Sequence, residues 1–320
     1  MPESVVQQPS LLPIYGTQGE YGPPVAEPVS LSYQSTLATA MNAFHGYMQR
    51  KGFTENTIKA FMGDLRILSR YLGANHPIGR ISTEDLNNFL AYLLFQRGKP
   101  CNPKSFARRL TTLKVFFGWL AESGIIASDP AAPIIHQPVR TPLPEILFDD
   151  EVERLIRTAQ DMLWAPRPDA RPYVLVNLLL QTGIKKSECM NLRLDDIDLS
   201  NPAAPSIIVR YDHPRQMHKE RRLSFSPYLV PALRQYLAEY QPKTRLFECT
   251  ARNLEYVLAD LSNRAGLTKS VGFEMLRWTC AVRDYRAGMP EERLRKKLGL
   301  STISWRETSE KIRKLAAPGL

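Results

Sequence analysis

Between Ser206 and Phe225 two short runs, Ile207-Ile208-Val209 and Arg222 to Phe225, flank the turn-rich residues Asp212, His213 and Pro214. This pattern, Ser206 to Tyr211 pairing with Arg222 to Phe225, predicts a long β-hairpin. Its far and returning parts carry Arg215, Lys219, Arg221 and Arg222, and cations gathered on a hairpin are suited to binding phosphate. Lys104, Arg108, Arg109 and Lys114 make a second basic group, and Arg293, Arg295, Lys296 and Lys297 a third. In the third, Leu294 and Leu298 mark an amphipathic helix whose polar face would be charged in any case. Other chemistries find no support. No glycine-rich phosphate loop, Ser-His-Asp set or paired-carboxylate site has usable spacing. His45, His76, His136, His213 and His218 are too dispersed to form a ligand cluster. Cys101, Cys189, Cys249 and Cys280 stand singly, without a CxxC pair, so buried reduced thiols are expected rather than a disulfide framework or zinc site. Neither metal nor cofactor is expected.

The elements that must hold these groups follow from composition and periodicity. A chain of 320 residues, 43% hydrophobic and 9% aromatic, is about two domains' worth and can build ordinary cores. The net charge of +10 points to a polyanionic partner, nucleic acid or an acidic membrane surface. No stretch approaches the roughly 20 apolar residues that span a bilayer, and the beginning of the chain lacks a basic region followed by an apolar run. A soluble, cytoplasmic protein is expected.

Residues 1–34 hold six prolines, three acids and no Lys or Arg, and are expected to be a flexible tail. Residues 35–128 read as a helical domain. Ile58, Phe61, Met62, Leu65, Leu68 and Leu72 recur at helical spacing after the capping candidates Thr54 and Asn56. Phe106, Leu110, Leu113, Phe116, Phe117 and Leu120 do the same over Ser105 to Glu122, with Lys104, Arg108, Arg109 and Lys114 mostly on other faces. Stretches Leu37 to Arg50 and Thr83 to Phe95 complete a four-helix unit. A proline-rich linker is expected over residues 129–144, and the remainder, 145–320, mixes helices with the hairpin as an α+β domain.

Longer ordered stretches resemble the tyrosine recombinases, or phage-type integrases. Arg108-Arg109-Leu110 through Phe116-Phe117-Gly118-Trp119-Leu120, then Ser128-Asp129-Pro130, is similar to the close of that family's core-binding domain. Leu178 through Glu188, followed by Asn191-Leu192-Arg193-Leu194-Asp195-Asp196-Ile197-Asp198, is similar to its first active-site box. The resemblance implies a mainly α fold with a small β-sheet, a SAM-like core-binding domain followed by the catalytic-type domain. It implies double-stranded DNA as partner, nucleoid association, and self-association through the C-terminal segment, here Ile312 to Leu320 with Lys311, Arg313 and Lys314. The family's chemistry is metal-free. A tyrosine attacks the scissile phosphate, two arginines clamp it, a hairpin lysine protonates the leaving oxygen, and imidazole-type groups move protons.

Position by position, this chain departs from that set. Lys185 stands at the first arginine, and lysine lacks the planar two-pronged donor. The hairpin lysine falls on Lys219, with Arg215 a second choice. Arg277 keeps the second arginine in Glu274-Met275-Leu276-Arg277-Trp278-Thr279, where Glu274 replaces histidine. Leu300 stands where a histidine or tryptophan would donate, and Ser309 falls at the nucleophile's place nine residues on. Tyr285 is the nearest tyrosine in sequence. Three readings follow. The first is a catalytically inactive, DNA-binding protein of this fold, with contacts from Lys104, Arg108, Arg109, Lys114, Lys185, Lys186, Arg215, Lys219, Arg221 and Arg277. The second is a divergent strand-transferase using Ser309 or Tyr285 with Lys185 and Arg277. The third is an oligomerising accessory protein.

Overall fold

The computed structural model describes residues 31–99, 101–135, 142–212 and 214–317, with Pro214 and Arg215 in backbone only. The expected tail, apart from residues 31–34, His213, and the end of the C-terminal segment, residues 318–320, lie outside the described residues. The chain divides into two compact units between Thr141 and Pro142.

The first unit is four helices, α1 (Leu37–Arg50), α2 (Glu55–Leu72), α3 (Thr83–Phe95) and α4 (Pro103–Glu122). Each begins where a side chain satisfies an otherwise orphaned backbone N–H: Thr36, Thr54, Ser82 and Asn102 are the N-caps. Their apolar stripes meet in a core containing Phe44, Met48, Leu65, Leu68, Phe116 and Leu120. The unit runs further than its expected end at residue 128. Ala131 and Ile134 are buried in the same core, so this first part of the expected linker packs as structure, while residues 136–141 lie outside the described residues.

The basic face expected on α4 is smaller than the sequence implies. Asp64, buried on α2, accepts two hydrogen bonds from Arg108 at 3.0 and 2.8 Å and one from Thr112 at 3.1 Å. Arg109 is buried, 3.4 Å from the same carboxylate and with Nη1 2.7 Å from the Cys101 thiol. A buried carboxylate needs such partners, and α4 supplies them from its own cations. Lys114 donates to the Ala132 carbonyl at 3.4 Å, and Lys104 is exposed.

The second unit is built around α6 (Arg171–Thr182), in which Val174 through Leu180 are all buried. A helix apolar on every side must be enclosed. It is, by α5 (Asp149–Leu163), α8 (Val230–Tyr240), α9 (Ala251–Arg264) and α10 (Phe273–Arg286). A short α7 (Lys186–Asn191) follows α6, and α11 (Glu291–Lys297) and α12 (Thr302–Ala316) follow α10. The expected hairpin is β2 (Ser206–Val209) with β3 (Arg221–Ser224), antiparallel, Ile207 opposite Leu223 and Val209 opposite Arg221. Its connection is a 3-10 turn over Pro214–Lys219 in place of a plain loop, and a third strand, β1 (Ile197–Asp198), extends the sheet. Among the described residues, no helix is long and apolar enough to cross a membrane.

The described part of the C-terminal segment packs on its own chain. Ile312 and Leu315 on α12 are buried, Arg286 donates to the Leu315 carbonyl at 3.0 Å, and Arg313 pairs with Glu291 at 3.0 Å.

Candidate functional site

The end of α6 sets the site. Gly183, with φ +61°, stops the helix in the left-handed region, and a Cβ there would lie 3.1 Å from Cys280 Sγ and 3.2 Å from Leu298. The chain then turns so that Lys185 caps α7, its backbone N–H donating to Glu188 Oε2 at 2.8 Å. Glu188 is buried and receives Arg221 from β3 through both terminal nitrogens, at 2.8 and 3.1 Å. The Tyr211 hydroxyl donates to it as well. Burial alone would raise the Glu188 carboxyl, yet Arg221 and Tyr211 hold it at about 2, and burial and that carboxylate push the Tyr211 hydroxyl up to about 12. Arg221 also donates to the Lys297 carbonyl at 2.7 Å, tying the sheet to the end of α11.

Arg221 passes close over Gly299. With φ at +58° and a notional Cβ 2.7 Å from the Arg221 guanidinium, that position favours glycine. Gly299→Ala is expected to cost about 1–3 kcal/mol, as overpacking does, and urea unfolding of the variant checks it.

Arg277, on α10, donates to the Gly183 carbonyl and, at 2.5 Å, to the Leu298 carbonyl. Burial pushes its pKa down, but a guanidinium remains charged. The Lys185 amine lies only 3.5 Å from the Gly299 carbonyl and 3.7 Å from Glu188, at the edge of bonding range. Burial and the charges of Arg277, Arg221 and Lys219 hold it below the ordinary lysine value, against the opposing pull of Glu188. Lys185 and Arg277 open onto a cavity of about 830 Å³ walled by α9, α10, residues 270–272, Leu298, Leu300 and α12.

The structure brings together Lys185, Lys186, Glu274, Arg277 and Leu300 on that cavity. Lys219 stands near enough to act on Lys185 electrostatically, and its carbonyl accepts from Arg221 at 3.1 Å. Arg221, expected to be a surface contact, is instead the internal partner of Glu188, because a buried carboxylate between β3 and α7 demands a cation. Ser309 is not on the cavity either. It is buried in α12, and its hydroxyl donates to the Arg306 carbonyl at 3.1 Å. Thr308 takes the cavity-facing position. Tyr285 packs with Leu294, Leu298 and Ile312 in a small apolar cluster. The side chain of Arg215 is outside the described residues. Lys104, Arg108, Arg109 and Lys114 belong to the first unit.

Three participants escaped the reading of single positions. Glu188 sits within the quoted active-site box, three residues after Lys185 in the capping-box spacing that signals its role. Arg252 and Tyr256, one helical turn apart on α9, line the cavity, with Arg252 donating to the Tyr256 hydroxyl at 2.8 Å and lying over its ring. Only their i, i+4 spacing was visible. Among the described residues, no group of His, Cys, Asp and Glu is placed to hold a metal ion.

Residues 145–307 match the model of the phage integrase family, and residues 41–124 match that of the phage integrase N-terminal SAM-like domain. Tyrosine recombinase XerC of Staphylococcus epidermidis is 26% identical over 267 residues, covering 79% of this chain and 86% of that protein. Tyrosine recombinase XerD of Listeria innocua is 24% identical over 285 residues, 85% and 93% of the two chains. Among solved structures, a lambda integrase dimer bound to a COC′ core site aligns with a TM-score of 0.68 at 15% identity, covering 89% of this chain and 80% of that one. XerH site-specific recombinase bound to palindromic difH substrate in a post-cleavage complex aligns at 0.67 and 16% identity, covering 88% and 82%. At these identities the likeness to solved structures is one of fold. With the integrase model spanning half of its length and the fold agreeing with it, the chain belongs to the phage integrase family.

Proposed function

We propose that this protein binds duplex DNA through the integrase fold without cutting it. The observation that carries the proposal is the split between charge and chemistry at one site. Lys185, Lys186 and Arg277 still line the cavity, whereas Ser309, at the nucleophile's place, is buried and its hydroxyl is engaged by a backbone carbonyl. Leu300 offers no donor, and Glu274 puts an anion at the cavity's edge. Each lost donor of this kind costs on the order of 100- to 1,000-fold in rate, so their combined loss removes the family's transesterification while electrostatic attraction persists. Lys104 in the first unit and Lys185, Lys186, Lys219 and Arg277 in the second are the proposed phosphate contacts, Arg215 with them. The XerC and XerD relatives, and the DNA-bound state of the lambda integrase and XerH structures, support DNA as the partner. The dimeric lambda integrase supports self-association. Because Ile312 and Leu315 are committed to their own chain, a neighbour would engage the outer face of α12, where Ile303 is exposed.

The test is a nicked duplex that traps covalent intermediates, followed by denaturing electrophoresis. No protein–DNA adduct is expected. An adduct that disappears in Ser309→Ala, Tyr285→Phe or Tyr256→Phe overturns the proposal in favour of a divergent strand-transferase. Tyr256 joins that set because it is exposed and lines the cavity.

A further inference from the structure

We infer that the cavity of the second unit is a nucleotide pocket, its cations taking the phosphate of an unpaired nucleotide and its aromatic side chains the base. The inference deepens the DNA-binding reading and rests on it only where the nucleotide belongs to a DNA strand.

Size is the first argument. About 830 Å³ lies within the range of small-molecule sites and far exceeds what one backbone phosphate fills. Composition is the second. Lys185, Arg252 and Arg277 bring positive charge to the lining, and Trp278, Ala281, Leu298 and Leu300 bring apolar surface to it. In a duplex the bases are stacked inside and present only phosphates and groove edges, so duplex DNA leaves that apolar surface wet. An unpaired nucleotide carries an aromatic face and an anion on one frame, and aromatic side chains that receive bases are the usual partners of such nucleotides. Trp278 lies in the lining. Tyr256 is 58% exposed and lines the cavity, with the Arg252 guanidinium 5.4 Å from its ring centroid.

The charges divide accordingly. Lys186 is paired with Glu255 at 2.8 Å and Nε of Arg252 with the Tyr256 hydroxyl, whereas the Lys185 amine, loosely held at 3.5 and 3.7 Å, has donors to spare. Glu274, exposed on the same cavity, would repel a phosphate but accepts a hydrogen bond from a base amino group. Phosphate beside Lys185 and base toward Trp278 and Glu274 is the orientation that satisfies both. The replacement of the family's imidazole donors by Leu300 and Glu274 turns from a loss of chemistry into a change of ligand.

The nucleotide has two sources, a free mononucleotide or an unpaired strand end, and the experiment separates them. The intact chain is titrated with inorganic phosphate and with dAMP, by calorimetry and by tryptophan fluorescence. In parallel, a blunt duplex is compared with one of equal length carrying a 5′-phosphorylated overhang. The expected result is dAMP bound at least about fivefold more tightly than phosphate, since stacking contributes about 5- to 140-fold per base. The fluorescence response is lost in Trp278→Phe. Lys185→Gln weakens phosphate and dAMP alike, and Trp278→Leu or Tyr256→Ala weakens dAMP alone. Preference for the overhang assigns the strand end as the source, and equal binding of both duplexes assigns the free nucleotide. Equal affinity for phosphate and dAMP overturns the inference, as does binding of neither at millimolar concentration. If the blunt duplex is still retained in that case, the DNA-binding reading survives alone. If dAMP binds and no duplex does, the pocket stands and the DNA-binding reading falls.

Discussion

Glu188→Ala is expected to destabilise the second unit by about 3–5 kcal/mol, the usual cost of leaving one half of a buried ion pair without its partner. Arg221 would keep its bond to the Lys297 carbonyl but face an empty site where two charge-assisted bonds had been. The α7 cap formed by Lys185 would be lost with it. For a unit of this size the change corresponds to a fall in Tm of about 6–20 °C. Glu188→Gln, which retains acceptors for one arginine bond and for Tyr211, should lose less. The double variant Glu188→Leu with Arg221→Leu should recover much of the loss, since well-packed apolar pairs often replace buried ion pairs without penalty. The pH dependence gives an independent check. Folded Glu188 titrates at about 2, below the ordinary value of 4.5. A carboxylate depressed on folding contributes stability that is complete above its unfolded value and is lost as pH falls through its folded one. The difference in urea midpoint between the native chain and Glu188→Ala should therefore hold steady above about pH 5 and shrink toward pH 2. A constant difference across that range would mean that the carboxylate acts by packing and not by charge.

The legible part of this molecule was its architecture. The helices α1 to α4 were visible from helical periodicity, most plainly in the apolar stripes of α2 and α4 and the Thr54 cap before α2, and those signals are local. The hairpin was legible for the same reason, although its inner structure was not. The 3-10 turn over Pro214–Lys219 leaves no periodic trace, and β1 is two residues long. The positions at the site could be found through the family resemblance, but their roles could not, because a role here depends on pairing across long sequence separations. Arg108 and Arg109 look like any exposed cations of α4 until Asp64, more than forty residues earlier, is seen buried beneath them. Arg221 looks like a hairpin phosphate contact until Glu188 is seen against it. Both cases obey one rule. A buried carboxylate recruits a cation, and a sequence shows neither the burial nor the recruit. Arg252 and Tyr256 were missed for a different reason, since an exposed Arg-Tyr pair on a helix is unremarkable until a cavity lies beside it.

Binding of duplex DNA is expected to fall by about 1,000- to 100,000-fold between 50 and 200 mM salt, the behaviour of a protein that neutralises about 6–10 phosphates. The net charge of +10 supplies enough cations for that number. The slope of log affinity against log salt should drop by about one on Lys104→Ala or Lys219→Ala, because each releases one counterion contact. Arg109→Ala and Arg221→Ala should behave otherwise. Their guanidinium groups are spent on Asp64 and Glu188, so those variants should lose thermal stability and, at temperatures where they remain folded, keep the native slope. Arg108 is the informative intermediate. Its side chain is 44% exposed while both of its bonds go to Asp64. If Arg108→Ala lowers stability with the slope intact, α4 serves as an internal brace, and the DNA-facing charge of the first unit rests on Lys104 and its other exposed cations. If the slope falls as well, the Asp64 pair is what orients Arg108 toward the phosphate it meets.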